Sequence, residues 1–226
     1  VNNKPIRYVF IAIFSWALIS GLAEAASIPL APLHHTRWYF VPAYVSHAVI
    51  LVGTLILFRC MKIILPTFTL RPNGGTLFVR TISYFVVMGI LFGLFGPKIN
   101  VHAALSTGEW ISALLWLVFE FGIVGWTEEL LYRGALQRLF NLGFSNRTVL
   151  GTRAGVVCAA ILFSIDHLGN VTYQSPGVTA TQAIGALIIG LLLGRYYDRT
   201  DDLAGVAWMH NILDGLMVVV PWITMH

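Results

Sequence analysis

Trp110-Ile-Ser-Ala-Leu-Leu-Trp-Leu-Val-Phe-Glu-Phe-Gly-Ile-Val-Gly-Trp-Thr-Glu128-Glu129-Leu-Leu-Tyr-Arg133 decides the fold. Its leading part stays apolar for nearly the length of about 20 residues that a membrane-spanning helix needs. Two adjacent carboxylates then follow, with an arginine four residues beyond the second. Ionisable side chains at membrane depth are costly and read as functional by default. The stretch is therefore at once a span and a candidate site. Two later places repeat the pattern: Asp166-His167 closes one apolar segment, and His210 with Asp214 sits inside the last.

The rest of the chain agrees with a membrane protein. Its 226 residues are 57% hydrophobic and 11% charged, with mean hydropathy +0.77, whereas soluble domains are about 45–50% apolar and about 25% charged. The expected fold is all-α: a polytopic transmembrane helical bundle in a single integral-membrane domain over residues 1–226, with its motifs in about 110–222. Seven spans are legible: Tyr8–Ile28, Phe40–Leu57, Leu77–Phe95, Trp110 to about Tyr132, Val149–His167, Thr181–Tyr197 and Leu203–Trp222. Spans this long need backbone bonds satisfied within the segment, and the short alternating pattern of a membrane barrel is missing. Pro29 to Pro32, Pro66, Pro72-Asn-Gly-Gly75, Gly96-Pro97, Asn141 to Asn146 and Ser175-Pro-Gly177 read as connectors.

Charge and cysteine usage exclude several classes. Cys60 and Cys158 both lie in apolar stretches, which argues against a disulfide framework or a cysteine zinc site. The net charge of +4 comes without a basic run of the kind that binds nucleic acid, so no nucleic-acid partner is expected. Twelve of the 14 basic residues fall on one side of the predicted spans: Lys4, Arg7, Arg59, Lys62, Arg71, Arg80, Arg133, Arg138, Arg147, Arg153, Arg195 and Arg199. Arg37 and Lys98 fall on the other. The positive-inside rule then predicts a cytoplasmic N-terminus and an outside C-terminus. Lys4, Arg7, the first apolar run and Ala23-Glu24-Ala25 imitate a signal peptide, but the segment is read as an uncleaved helix. Compact size and the lack of an organellar sorting signal point to a prokaryotic plasma membrane. His34, His35, His102 and His226 fall in predicted outer loops or at the terminus and are read as solvated.

Depth counting brings the polar sites together. Glu128 is 10 residues from Arg138, His167 is 14 from Arg153, and His210 is 11 from Arg199. At ~1.5 Å per helical residue these are depths of roughly 15, 21 and 17 Å, in the middle of a hydrocarbon core about 30 Å thick. The agreement requires the fourth helix to continue past Glu129 to about Phe140. Glu128, His167 and His210 are thus expected to line one cavity open to the cytoplasmic half of the membrane. The four-residue spacing lets Arg133 neutralise Glu129 while Glu128 points about a quarter-turn away. The same spacing puts His210 and Asp214 on one helix face, and Phe163 and His167 on another. Taken singly, Glu129 and Arg133 also read as an interfacial pair that anchors a helix end. Each histidine likewise reads as a polar residue packing helix on helix. Their joint occurrence at one depth favours a site.

Glu128-Glu129-x-x-x-Arg133, Phe163-x-x-x-His167 and His210-x-x-x-Asp214, in this order on separate apolar helices, resemble the signature of the CAAX protease and bacteriocin-processing family. These are intramembrane glutamate proteases that include the prenyl-CAAX endopeptidase. The resemblance covers roughly residues 110–220. It implies peptide-bond hydrolysis of a membrane-associated peptide or protein beside the lipid bilayer. It also implies that Glu128 and His167 activate water while His210 and residue 214 stabilise the oxyanion. The family has Asn or Asp at the last position, and the prenyl-CAAX enzyme has the amide. Asp214 must therefore be protonated to donate, or must orient His210 instead.

Other chemistries compete for the same residues. No His-Glu-x-x-His helix is present, which excludes a conventional zincin, although Glu128, His167 and His210 could bind one zinc with a position left for water. The expectation is catalysis without a cofactor, with zinc as the alternative. An aspartyl pair lacks its Gly-x-Gly-Asp motif, because Ile212-Leu-Asp-Gly215 has no preceding glycines. No Gly-x-Ser-x-Gly nucleophile accompanies a histidine. The non-enzymatic rival is a transporter or inert scaffold that uses buried carboxylates, Glu24 and Glu120 included, as an ion path. The sequence contains no inverted repeat to support transport.

Overall fold

Backbone groups in an apolar medium must bond within their own segment, so the long apolar runs become helices. The computed structural model describes residues 4–62, 71–96, 110–149, 151–172 and 174–224. Its helices are α1 (Lys4–Ser27), α2 (Val41–Met61), α3 (Gly75–Phe95), α4 (Trp110–Gly143), α5 (Ala154–Asp166), α6 (Pro176–Thr200) and α7 (Leu203–Thr224). Turns of 3-10 helix extend α1 over Ile28–His35 and α5 over His167–Thr172. With those extensions, seven helices are long and apolar enough to cross a membrane. The all-α polytopic class expected from composition therefore holds. Pro66, Pro97, Lys98, His102 and His226 lie outside the described residues.

Three boundaries differ from expectation, each for a local reason. The fourth span does not end near Tyr132 but continues to Gly143, as the depth argument required. Its middle, Leu130–Gln137, winds as a π-helix with every side chain buried. Segments of this kind are rare and tend to occur where a helix carries function. The fifth span starts late, because Thr148–Val149 (β1) and Thr152–Arg153 (β2) pair as a short antiparallel hairpin ahead of Ala154. Ser175-Pro-Gly177 is not a loop but the start of α6. The Ser175 hydroxyl accepts from the Val178 N–H, and Pro176 occupies the first turn, where its missing N–H costs nothing.

Exposed faces are apolar. Ile6, Phe10, Phe14, Leu18 and Leu22 repeat every four residues along α1, all exposed, while Ala12, Ile19 and Ala23 on the same helix are buried. In water such a stripe would be an aggregation surface. On a spanning helix it is the face toward lipid.

Contacts group the chain into two compact units. The first comprises Val1–Gly21, Leu51–Phe68 and Glu129–Leu203. Within it, α6 lies close to α5 through small residues. An ideal Cβ on Gly190 would stand 3.1 Å from Ala160 Cα, and one on Gly194 would stand 2.8 Å from Val156 Cγ1. The Gly190-x-x-x-Gly194 pair is therefore an intramolecular packing seam. The bare backbone it exposes is used: the Gly190 carbonyl accepts from Arg133 (3.2 Å) and the Gly194 carbonyl from Gln137 (3.1 Å).

The second unit comprises Leu22–Ile50, Thr69–Glu128 and Ala204–His226. There Gly89 and Gly93 of α3 admit Leu216 and Val220 of α7. Trp126 of α4 packs with Ala204, Ala207 and Trp208 of α7. Near the interruption of α4 at Ile123, the Gly125 N–H donates to Asn211 Oδ1 at 2.7 Å, a buried bond that fixes α4 against α7.

Candidate active site

Glu128 lies on α4 one helical turn beyond Gly125, where the backbone bond to Asn211 sets its height against α7. His210 stands next to Asn211, and its Nε2 is 3.7 Å from Glu128 Oε2. The same Nε2 is 3.2 Å from Asp214 Oδ2, four residues on along α7. Asp214 and Glu128 therefore converge on one ring nitrogen. This differs from an arrangement in which a carboxylate holds one nitrogen of an imidazole and leaves the other for chemistry. His210 is 5% exposed at its side chain, Glu128 17% and Asp214 23%, a gradient from a buried ring to carboxylates that retain some access.

A further imidazole completes this cluster. His47 of α2 brings Nε2 to 3.6 Å from Oε1, the other oxygen of the Glu128 carboxylate. Its Nδ1 is 2.6 Å from the hydroxyl of Thr127, the residue preceding Glu128. The Phe119 ring stands edge-on to the His47 ring at 4.8 Å and 87°. Tyr44, one turn earlier on α2, donates to the Leu115 carbonyl at 2.8 Å and ties the two helices together. Glu120 is buried two turns before Glu128, within electrostatic reach of Glu128, His210 and Asp214. The unit thus gathers three carboxylates and two imidazoles from α2, α4 and α7. His47, Thr127 and Asn211 were absent from the sequence reading. His47 carried the signal used elsewhere, an ionisable residue inside an apolar run.

The other expected residues belong to the first unit. Glu129 Oε1 is 2.9 Å from Arg133 NH1, and neither side chain is more than 1% exposed. The guanidinium also donates to Gly190 O and lies 5.0 Å from the centroid of the Phe163 ring. Phe163 also contacts the His167 ring, at 4.8 Å and 74°. His167 sits where α5 gives way to 3-10 helix, with Nδ1 2.8 Å from the Phe163 carbonyl. A carbonyl only accepts, so Nδ1 carries the hydrogen and a neutral ring offers Nε2 as its acceptor. Neighbouring Asp166 accepts from Trp16 Nε1 (3.0 Å), Ser20 Oγ (2.8 Å) and the Tyr132 hydroxyl. Of the residues expected at the site, Glu128, His210 and Asp214 share the second unit, while His167, Phe163, Glu129 and Arg133 share the first.

Among the described residues, no group of three or more His, Cys, Asp or Glu side chains is arranged to hold a metal ion. Helices and cluster together define a polytopic membrane protein with a half-enclosed carboxylate–imidazole site. The family model described as Type II CAAX prenyl endopeptidase Rce1-like matches residues 110–216, from the start of α4 into α7. Over this stretch the chain resembles that family, as its three motifs indicated, and the description is of a peptide-cleaving family. No curated protein and no solved structure matches the chain.

Proposed function

We propose that the chain is an intramembrane endopeptidase of the prokaryotic plasma membrane, with a cytoplasmic N-terminus, that hydrolyses membrane-associated CAAX-type or peptide-precursor substrates. The observation that carries this reading is the Glu128 carboxylate. It is partly accessible, set in an apolar helix, and flanked by imidazoles on both oxygens. Glu128 removes a proton from water as the water oxygen attacks the scissile carbonyl. Such proton transfer contributes about 10²–10⁴-fold. His167, with Nδ1 committed to Phe163, serves as the second water-activating group that the resemblance implies. His210, charged at Nε2, stabilises the developing oxyanion electrostatically, a contribution that is large in a site with little water. Asp214 beside that nitrogen supports the ring in its charged form. When the C–N bond breaks, the proton held by Glu128 passes to the leaving amine. Every step is carried by side chains of this chain and none passes through a metal.

The test is cleavage of prenylated CAAX peptides and of unprenylated precursor peptides by the purified protein and by its Glu128→Gln variant. Turnover by the first alone supports the reading. Equal turnover by both, or none by either on the full panel, removes it.

A second reading, an ion path through a non-enzymatic protein, is supported by Glu120, which extends the carboxylate cluster along α4. Proton flux across reconstituted vesicles that Glu120→Gln abolishes, without peptide cleavage, would favour it.

A further inference from the structure

The contacts of His47 bear on which of its ring nitrogens carries hydrogen. Thr127 Oγ1 is 2.9 Å from the Val124 carbonyl and 3.3 Å from the Ile123 carbonyl. Carbonyl oxygens cannot donate, so either contact takes the single hydroxyl hydrogen. With the hydroxyl hydrogen on a carbonyl, the 2.6 Å contact with His47 is satisfied when Nδ1–H donates to Oγ1. Buried polar groups take the arrangement that completes most bonds, which makes His47 the Nδ1–H tautomer. Its Nε2 is left with a lone pair facing Glu128 Oε1 at 3.6 Å. Two lone pairs so placed repel, and a proton taken up between them relieves the repulsion. Thr127, His47 and Glu128 therefore form one short chain in which residue 127 sets the tautomer and residue 128 meets the result.

We propose that His47 is a positioning residue that acts through Glu128, taking up at Nε2 the proton that Glu128 removes from water. This rests on the endopeptidase reading of Glu128. A water O–H bond breaks, its oxygen bonds to the scissile carbon, and the proton moves through Glu128 to His47, which becomes an imidazolium. As the C–N bond breaks, the proton returns through Glu128 to the amine nitrogen, leaving both groups as they began. The other charged groups described around this pair are His210 and Asp214 of α7 and Glu120 of α4. The edge-on Phe119 ring limits rotation of the imidazole, so Nε2 stays directed at Oε1.

The test uses the full chain with 15N-labelled histidine in detergent, the His47 signals being assigned by their loss in His47→Asn. The expected spectrum has a protonated Nδ1 and a bare Nε2. Glu128→Gln moves the Nε2 signal, and Thr127→Val mixes the two tautomers. An Nε2–H tautomer, or an Nε2 signal indifferent to Glu128→Gln, overturns the proposal whether or not any peptide is cleaved. In the peptide assay, His47→Asn keeps an amide near the position of Nδ1 and has nothing at Nε2. Its kcat should fall about 100-fold at unchanged KM, the lower end of the range for proton transfer, with an altered pH profile of kcat. Wild-type kcat and pH profile in this variant would overturn the proposal while leaving Glu128 as base. A wild-type protein that cleaves nothing ends the endopeptidase reading instead, and the spectra still decide the His47–Glu128 pairing.

Discussion

Glu129 and Arg133 form a fully enclosed ion pair, 2.9 Å apart, one turn along the π-helical part of α4. Glu128, the neighbour of Glu129, lies instead among the imidazoles of His47 and His210. Two adjacent carboxylates on one helix thus stand in different chemical surroundings.

Arg133→Ala strands the Glu129 carboxylate without its cation. Breaking a buried pair in this way costs about 3–5 kcal/mol, so yield and thermal stability in detergent should both drop along with activity. Arg133→Lys keeps the charge but cannot serve Glu129 and the Gly190 carbonyl as a fork does, and should recover only part of the loss. A thermal midpoint for Arg133→Ala equal to that of wild type would show that the pair contributes nothing.

Glu128→Gln keeps shape and removes basicity. The expected outcome is loss of turnover, with a melting curve close to wild type and normal yield. Glu129→Gln should act in the opposite way, lowering stability first. A folded but inactive Glu129→Gln beside an active Glu128→Gln would exchange the two roles.

Gly194→Ala drives a methyl group against Val156 Cγ1 and Gln137 Oε1, 2.8 and 3.0 Å from the ideal Cβ. Overpacking of this kind costs about 1–3 kcal/mol. Val156→Ala should relieve part of it in the double variant, because the valine methyl is the nearest obstacle. Additive losses in a double-mutant cycle would mean that α5 and α6 do not meet there.

Trp16→Phe removes the indole donor to Asp166, and Ser20→Ala removes a second. Each bond is part-buried and runs to a carboxylate, so each change should cost about 1–2 kcal/mol. Limited proteolysis should find α1 more readily released. Protection equal to wild type in the double variant would assign α1 to other contacts.

Exhaustive chelation should leave peptide cleavage intact, since no step is assigned to a metal. Loss of activity that zinc alone restores would transfer the chemistry to the metal alternative.

Some of this was readable without coordinates. Seven apolar runs of spanning length dictate helices, because a backbone in lipid has no other partner for its N–H and C=O groups. The four-residue spacings joined Glu129 to Arg133 and His210 to Asp214, because one helical turn makes such pairs neighbours wherever the helix lies. Helix ends were less legible: Ser175 and Pro176 work equally as a turn or as a helix start, and only packing of the following residues decides. His47 interrupts an apolar run, yet no carboxylate or second basic residue at helical spacing marks it. Its meaning comes from Thr127 and Glu128, about 80 positions away in the chain. The partners of Asp166 on α1 and of Gly125 on α7 are equally remote in sequence. Local periodicity determined which residues share a helix face. Tertiary structure decided which faces meet, because pairing between distant helices depends on complementary shape and buried hydrogen bonds that no local pattern records.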